Sequence, residues 1–126
     1  VQSSFELAMM FKKGLGVKKN LYNTVLYLTS SVIVSNCPSA SYELGIIHLN
    51  EDKYLNTKKG VDLINYASES NHLDAMCLMA EFYYKGKFID LDVVKSISLL
   101  NRAKEMGHKK SEKLYRQYLA ELNNYL

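Results

Sequence analysis

The side chains able to do chemistry are few and widely spaced. The chain has 3 histidines and 2 cysteines in 126 residues. His48, His72 and His108 have no carboxylate or thiol cluster beside them in sequence, so neither a metal set nor an acid/base pair is indicated. Cys37 and Cys77 form neither a CxxC pair nor a metal quartet, and are expected to be free, partly buried thiols. Gly14-Leu15-Gly16 followed by Lys18-Lys19 has the look of a phosphate loop. It lacks the preceding strand and the remaining glycines, so it is expected to be a helix-ending turn. No HExxH, GxSxG, Walker or dinucleotide fingerprint is present.

The elements that must position these residues are helical. An apolar fraction of 48% excludes disorder, and a single proline with 6 glycines argues for long helices over a strand-and-turn protein. Net charge is +3, too slight to imply nucleic acid. Lys12, Lys13, Lys18 and Lys19 form one basic cluster, and Lys109, Lys110, Lys113 and Arg116 another. Each is either a solvated face or a patch that steers an acidic protein partner. No apolar run approaches the length of a membrane span, so no membrane insertion is expected. The sequence opens on Val1, as a fragment, a trimmed chain or a processed protein would, so any targeting segment lies out of view. Reduced thiols favour a cytoplasmic location.

The clearest hairpin is Ala75 to Ser111: two segments of helical apolar spacing, a turn at Gly86 and a stop at Gly107. Most of the chain repeats it. Asn20, Asn56 and Asp92, all good N-caps, recur at intervals of 36. Ser31, Ala67 and Ala103 keep that interval, as do Val25, Val61 and Ile97, and Leu28, Ile64 and Leu100. Ser35, Asn71 and Gly107 fall where each second helix should end in a left-handed residue. The first hairpin is expected to pair a helix over 3–13 with one from about 21 to 34 that packs through Leu21, Val25, Leu28 and Val32. The middle first helix, Pro38 to Asn50, fits with a one-residue slip that keeps Glu43 out of the core, followed by an irregular connection at Glu51-Asp52-Lys53-Tyr54. A last helix over 108–123, with the stripe Leu114, Tyr115, Tyr118, Leu119 and Leu122, would cap the array.

These positions resemble Sel1-like repeats, relatives of the tetratricopeptide class. Leu7-Ala8 with Phe11, Leu44-Gly45 with His48 and Met79-Ala80 with Tyr83 match the first-helix signature. Gly14-Leu15-Gly16-Val17 matches the turn; the third copy keeps Gly86 but has Phe88 and Ile89 in place of the second glycine and the valine. Ala67 and Ala103 match the second-helix alanine, and Gly107-His108 the Gly-His ending. The resemblance implies one all-α domain over 1–126, a right-handed α-solenoid of about three helix hairpins (3–36, 38–72, 74–108) plus a C-terminal capping helix (108–123). It gives the histidines structural roles.

By analogy with tetratricopeptide solenoids, the first helices would line a concave face exposing Phe5, Met9, Lys12, Lys13, Tyr42, Ile46, Leu49, Asn50, Cys77, Glu81, Tyr84 and Lys85. Aromatic and aliphatic anchors among charges suit a protein-binding surface. Phe5, Tyr42 and Tyr84 could equally complete the core. The implied function is a non-enzymatic module that binds another protein, without cofactor, metal, nucleic acid or small-molecule substrate. The partner would be a component of a larger complex. The alternative is an immunity protein that covers a bacterial toxin, and a hydrolase on stacked helices finds no supporting motif.

Overall fold

The computed structural model describes residues 3–125, and among them every regular element is helical: α1 (Ser4–Lys13), α2 (Leu21–Ser35), α3 (Pro38–Asn50), α4 (Thr57–Glu69), α5 (Leu73–Lys85), α6 (Val93–Glu105) and α7 (Lys109–Asn123), with a short 3-10 turn at Asp52–Tyr54. The second helix of each hairpin starts on the repeated cap. The carboxamide or carboxylate oxygens of Asn20, Asn56 and Asp92 accept from the backbone N–H of Asn23, Lys59 and Lys95, satisfying donors that a helix start leaves unpaired. Pro38 opens α3 at a position that needs no N–H.

The stops follow the expectation in two copies and shift in one. Asn71 and Gly107 take φ values of 65° and 93°, whereas Ser35 stays helical and Asn36 turns left-handed at 50°. Asparagine tolerates that conformation better than serine, so α2 runs one residue longer. The bend after the first helix also recurs. Gly14 and Gly16 both have φ of 73°, and Gly86 and Phe88 repeat the pair at 64° and 67°. The Phe88 ring, edge-on to Phe82 at 5.2 Å, holds a conformation that its own Cβ disfavours.

Two compact units divide within α4, the first ending at Ala67 and the second starting at Ser68. In the first, Ala8, Leu28, Ala40, Leu44 and Ile47 form the core, with Phe5, Met9, Val25 and Tyr27 packed around it. In the second, Cys77, Ala80, Leu100 and Tyr118 are joined by Tyr84, Ile97, Leu114 and Tyr115. α7 thereby supplies apolar cover through part of its expected stripe. Leu21 departs from expectation: it is partly exposed at the start of α2 and lines a groove instead of the core.

The middle and third hairpins each have a crossing of small residues. Thr24, Gly60 and Ser96 stand 36 residues apart and are all buried. In the middle hairpin Gly60 abuts Gly45, and Ser41 Oγ donates to Leu63 O at 2.7 Å. In the third, Ser96 Oγ donates to Ala80 O at 2.6 Å. A serine that hands its proton to the facing backbone adds no bulk and leaves no buried polar group unpaired.

Candidate partner-binding groove

The first unit carries a groove of about 380 Å³ where the end of α1, the start of α2 and the end of α3 meet. The glycine turn brings it together: Asn20 N–H bonds to Phe11 O at 3.1 Å, fixing the start of α2 beside the end of α1. Phe11, Leu21, Ile46 and Ile47 supply the apolar lining, and Phe11 is held by stacking on Tyr27 at 5.7 Å. Lys12, Lys19, Glu43, Asn50 and Glu51 surround it. Lys12 Nζ and Glu43 Oε2 pair at 2.7 Å, both partly exposed, so the bond orients the two groups more than it stabilises the fold. The hydroxyl in the lining, on Thr24, is already donated to Asn20 O. The arrangement suits recognition of a side chain with an apolar body between charges of both signs.

Of the twelve residues expected on a first-helix face, the groove unites Lys12, Ile46 and Asn50. Lys13 is exposed beside them; Phe5, Met9, Tyr42 and Leu49 are half-buried, with Phe5 and Met9 packed on the core. Phe11, Lys19, Leu21 and Glu43 also line or rim the groove but were not assigned to that face, although Lys19 belongs to the basic cluster suited to steering an acidic partner. The pattern of Gly14 and Gly16 could have located the first three, since it returns α2 along α1. Glu43 lies 31 residues from Lys12, and no local signal pairs them.

The third copy does not present its expected face. Cys77 is only 2% exposed, enclosed with Leu100 and Tyr118, and burial pushes its thiol up and away from reactivity. Glu81 is half-buried and Lys85 exposed. Tyr84 stacks on Tyr118 with ring centroids 3.7 Å apart, and its hydroxyl donates to Glu121 Oε2 at 2.7 Å. The analogy failed here because α7 packs against the side of α5 that it assigned to a partner.

This contact makes a pH prediction. Glu121 pushes Tyr84 up to about 12, and burial pushes Tyr118 up to about 12, against an ordinary 10. A raised phenol is a proton held more tightly when folded, so the stabilisation is complete below pH 10 and is lost as the pH rises toward 12. The urea midpoint is expected to fall across that window, and to fall less in Tyr118→Phe. Equal slopes in the two proteins would contradict the assignment.

The histidines hold structure. His48 Nδ1 donates to Tyr54 O at 2.7 Å and fixes the irregular connection. His72 Nδ1 accepts from Ala75 N–H at 3.2 Å, capping α5. His108 lies between Asp74 Oδ1 at 3.0 Å and Ser111 Oγ at 2.7 Å, an order of groups used for nucleophilic hydrolysis. Ser111 is fully buried, however, so no substrate carbonyl can reach its hydroxyl. The chain of contacts ties the start of α5 to the start of α7. Among the described residues no group of three or more His, Cys, Asp or Glu could hold a metal ion, and no helix is long and apolar enough to cross a membrane.

A sequence profile of the Sel1 repeat matches residues 1–30, 38–72 and 73–108. The fold is similar to that of a Sel1 repeat protein from Oxalobacter formigenes, with a TM-score of 0.84 at 21% identity over 89% of this chain and 46% of the other. It is also similar to a protective antigen present in uropathogenic Escherichia coli strains, described as displaying an SLR fold, with a TM-score of 0.77 at 20% identity over 86% and 23% of the two chains. The chain thus spans less than half of the first structure and about a quarter of the second. No curated protein matches the sequence.

Proposed function

Since the chain belongs to the Sel1 repeat family, whose members generally mediate protein–protein interactions and are generally non-catalytic scaffolds, we propose that it is a non-enzymatic module that binds a partner protein through the groove at the end of its first helices. One observation carries this reading: the apolar lining of Phe11, Leu21, Ile46 and Ile47 lies beside the Lys12–Glu43 pair in a cleft of about 380 Å³. A partner would insert an apolar or aromatic side chain and set its own charges against Lys12, Lys19 and Glu51. Anchors of this kind lose water on binding, while the surrounding charges select the partner and speed encounter.

Affinity capture with quantitative mass spectrometry tests this, comparing the unaltered chain with Ile46→Asp and with Lys12→Glu. Lys12 is exposed, so its replacement leaves the core intact. The specific partner is expected to fall at least about tenfold in Ile46→Asp, the size of a hot-spot loss, and less in Lys12→Glu. An unchanged capture by Ile46→Asp with a native melting curve would contradict the groove.

A further inference from the structure

The groove of the first unit is lined by charges that cancel, two lysines against two glutamates. Lys12 and Glu43 satisfy each other at 2.7 Å. Lys19, on the turn into α2, and Glu51, at the end of α3, are exposed, and among the described residues neither has an ion-pair partner. Exposed Lys18 and Asp52, their neighbours in the chain, extend each rim with its own sign.

Neither free charge helps the fold. The start of a helix carries partial positive charge and its end partial negative charge. Lys19 therefore stands beside a helix end of its own sign at α2, whose first turn has no acidic residue, and Glu51 does the same at the end of α3. By contrast, α1 carries Glu6 in its first turn and Lys12 and Lys13 in its last, the signs that its own ends favour. The polar groups deeper in the cleft are engaged: the Thr24 hydroxyl donates to Asn20 O, and the Asn20 side-chain oxygen accepts from Asn23 N–H. Selection of an occupant is thereby left to the apolar lining and the two free charges.

Resting on the reading that this groove is the binding site, we propose that its occupant is a short segment of a partner protein in which one large apolar residue is flanked by an acidic residue on one side and a basic residue on the other. The apolar side chain meets Phe11, Leu21, Ile46 and Ile47, the carboxylate meets Lys19 and the cation meets Glu51. Charge complementarity selects this occupant. A wholly acidic or wholly basic segment is attracted at one rim and repelled at the other, and an uncharged one takes water from both charges without replacing it. The segment with both signs also relieves each charge of the helix end it opposes.

A phage-displayed library of random peptides, panned against the full chain and against Lys19→Glu, Glu51→Lys and Ile46→Asp, tests the proposal, with fluorescence anisotropy of the enriched peptides in synthetic form. The unaltered chain is expected to enrich acid–apolar–base peptides. Lys19→Glu should bind these about three- to tenfold more weakly and enrich base–apolar–base peptides, while Glu51→Lys weakens them similarly and enriches acid–apolar–acid. Each of these two replacements should also raise the melting temperature, by about 1–5 °C, because the new charge complements its helix end. Binding lost together with a lower melting temperature overturns the proposal, as does a library from which nothing is enriched. Peptides that share an apolar residue without charge preference, and that Ile46→Asp loses, overturn it while leaving the groove as the binding site. Peptides that Ile46→Asp retains overturn both.

Discussion

Gly45→Val is expected to destabilise the chain by about 3 kcal/mol, at the upper end of overpacking costs. A Cβ at this position would stand 2.6 Å from Ile64 Cγ1 and 2.8 Å from Gly60 O. The first neighbour is a fully buried side chain and the second is backbone, so neither can swing aside. Relief requires α3 and α4 to separate. That motion would lengthen the 2.7 Å bond from Ser41 to Leu63 O and open the core around Leu44. Glycine in mid-helix costs about 1 kcal/mol in propensity relative to alanine, so its presence here records how close the helices must come. Chemical denaturation followed by circular dichroism measures the effect. A Gly45→Val protein with an unchanged midpoint would show that the crossing is looser than described.

Ala103→Phe should cost about 1 to 3 kcal/mol by the same mechanism in the second unit. Ala103 is fully buried one turn from Leu100, which is itself fully buried in the core with Cys77, Ala80 and Tyr118. Its carbonyl also accepts from His108 N–H at 3.0 Å, closing the turn that leads into α7. A phenyl ring has no volume to enter and would displace either the core or that turn. Ala67, 36 residues earlier and equally buried, should respond in the same direction. A melting temperature within error of the unaltered protein in Ala103→Phe would mean that the repeat register is misplaced.

The architecture was readable because its signals are local. A helix cap needs one side chain and a backbone N–H three residues away, so Asn20, Asn56 and Asp92 declare themselves in sequence and perform that role in the structure. Left-handed stops are likewise a property of one residue, and Asn71 and Gly107 were found where their types allow. Ser35 was misread because the repeat interval pointed to it while the neighbouring Asn36 had the better chemistry for positive φ.

The surface was less legible because exposure is decided by elements far away in the chain. Cys77 and Tyr84 sit on α5 at positions that a repeat analogy leaves open, and only the packing of Tyr118 and Glu121 from α7 encloses or engages them. Glu43 was kept out of the core correctly, but its pairing with Lys12 depends on how α1 meets α3. The His108, Asp74 and Ser111 contacts show the same limit, since 34 residues separate the first two.

Hydrogen–deuterium exchange of the chain with and without its captured partner tests the central claim, that the groove of the first unit is where a protein binds. Protection is predicted at the end of α1 and the start of α2 and over residues 46–51 at the end of α3, with little change along α5 and α7. Protection confined to α5 and α7, with the groove segments exchanging as in the free chain, would contradict it.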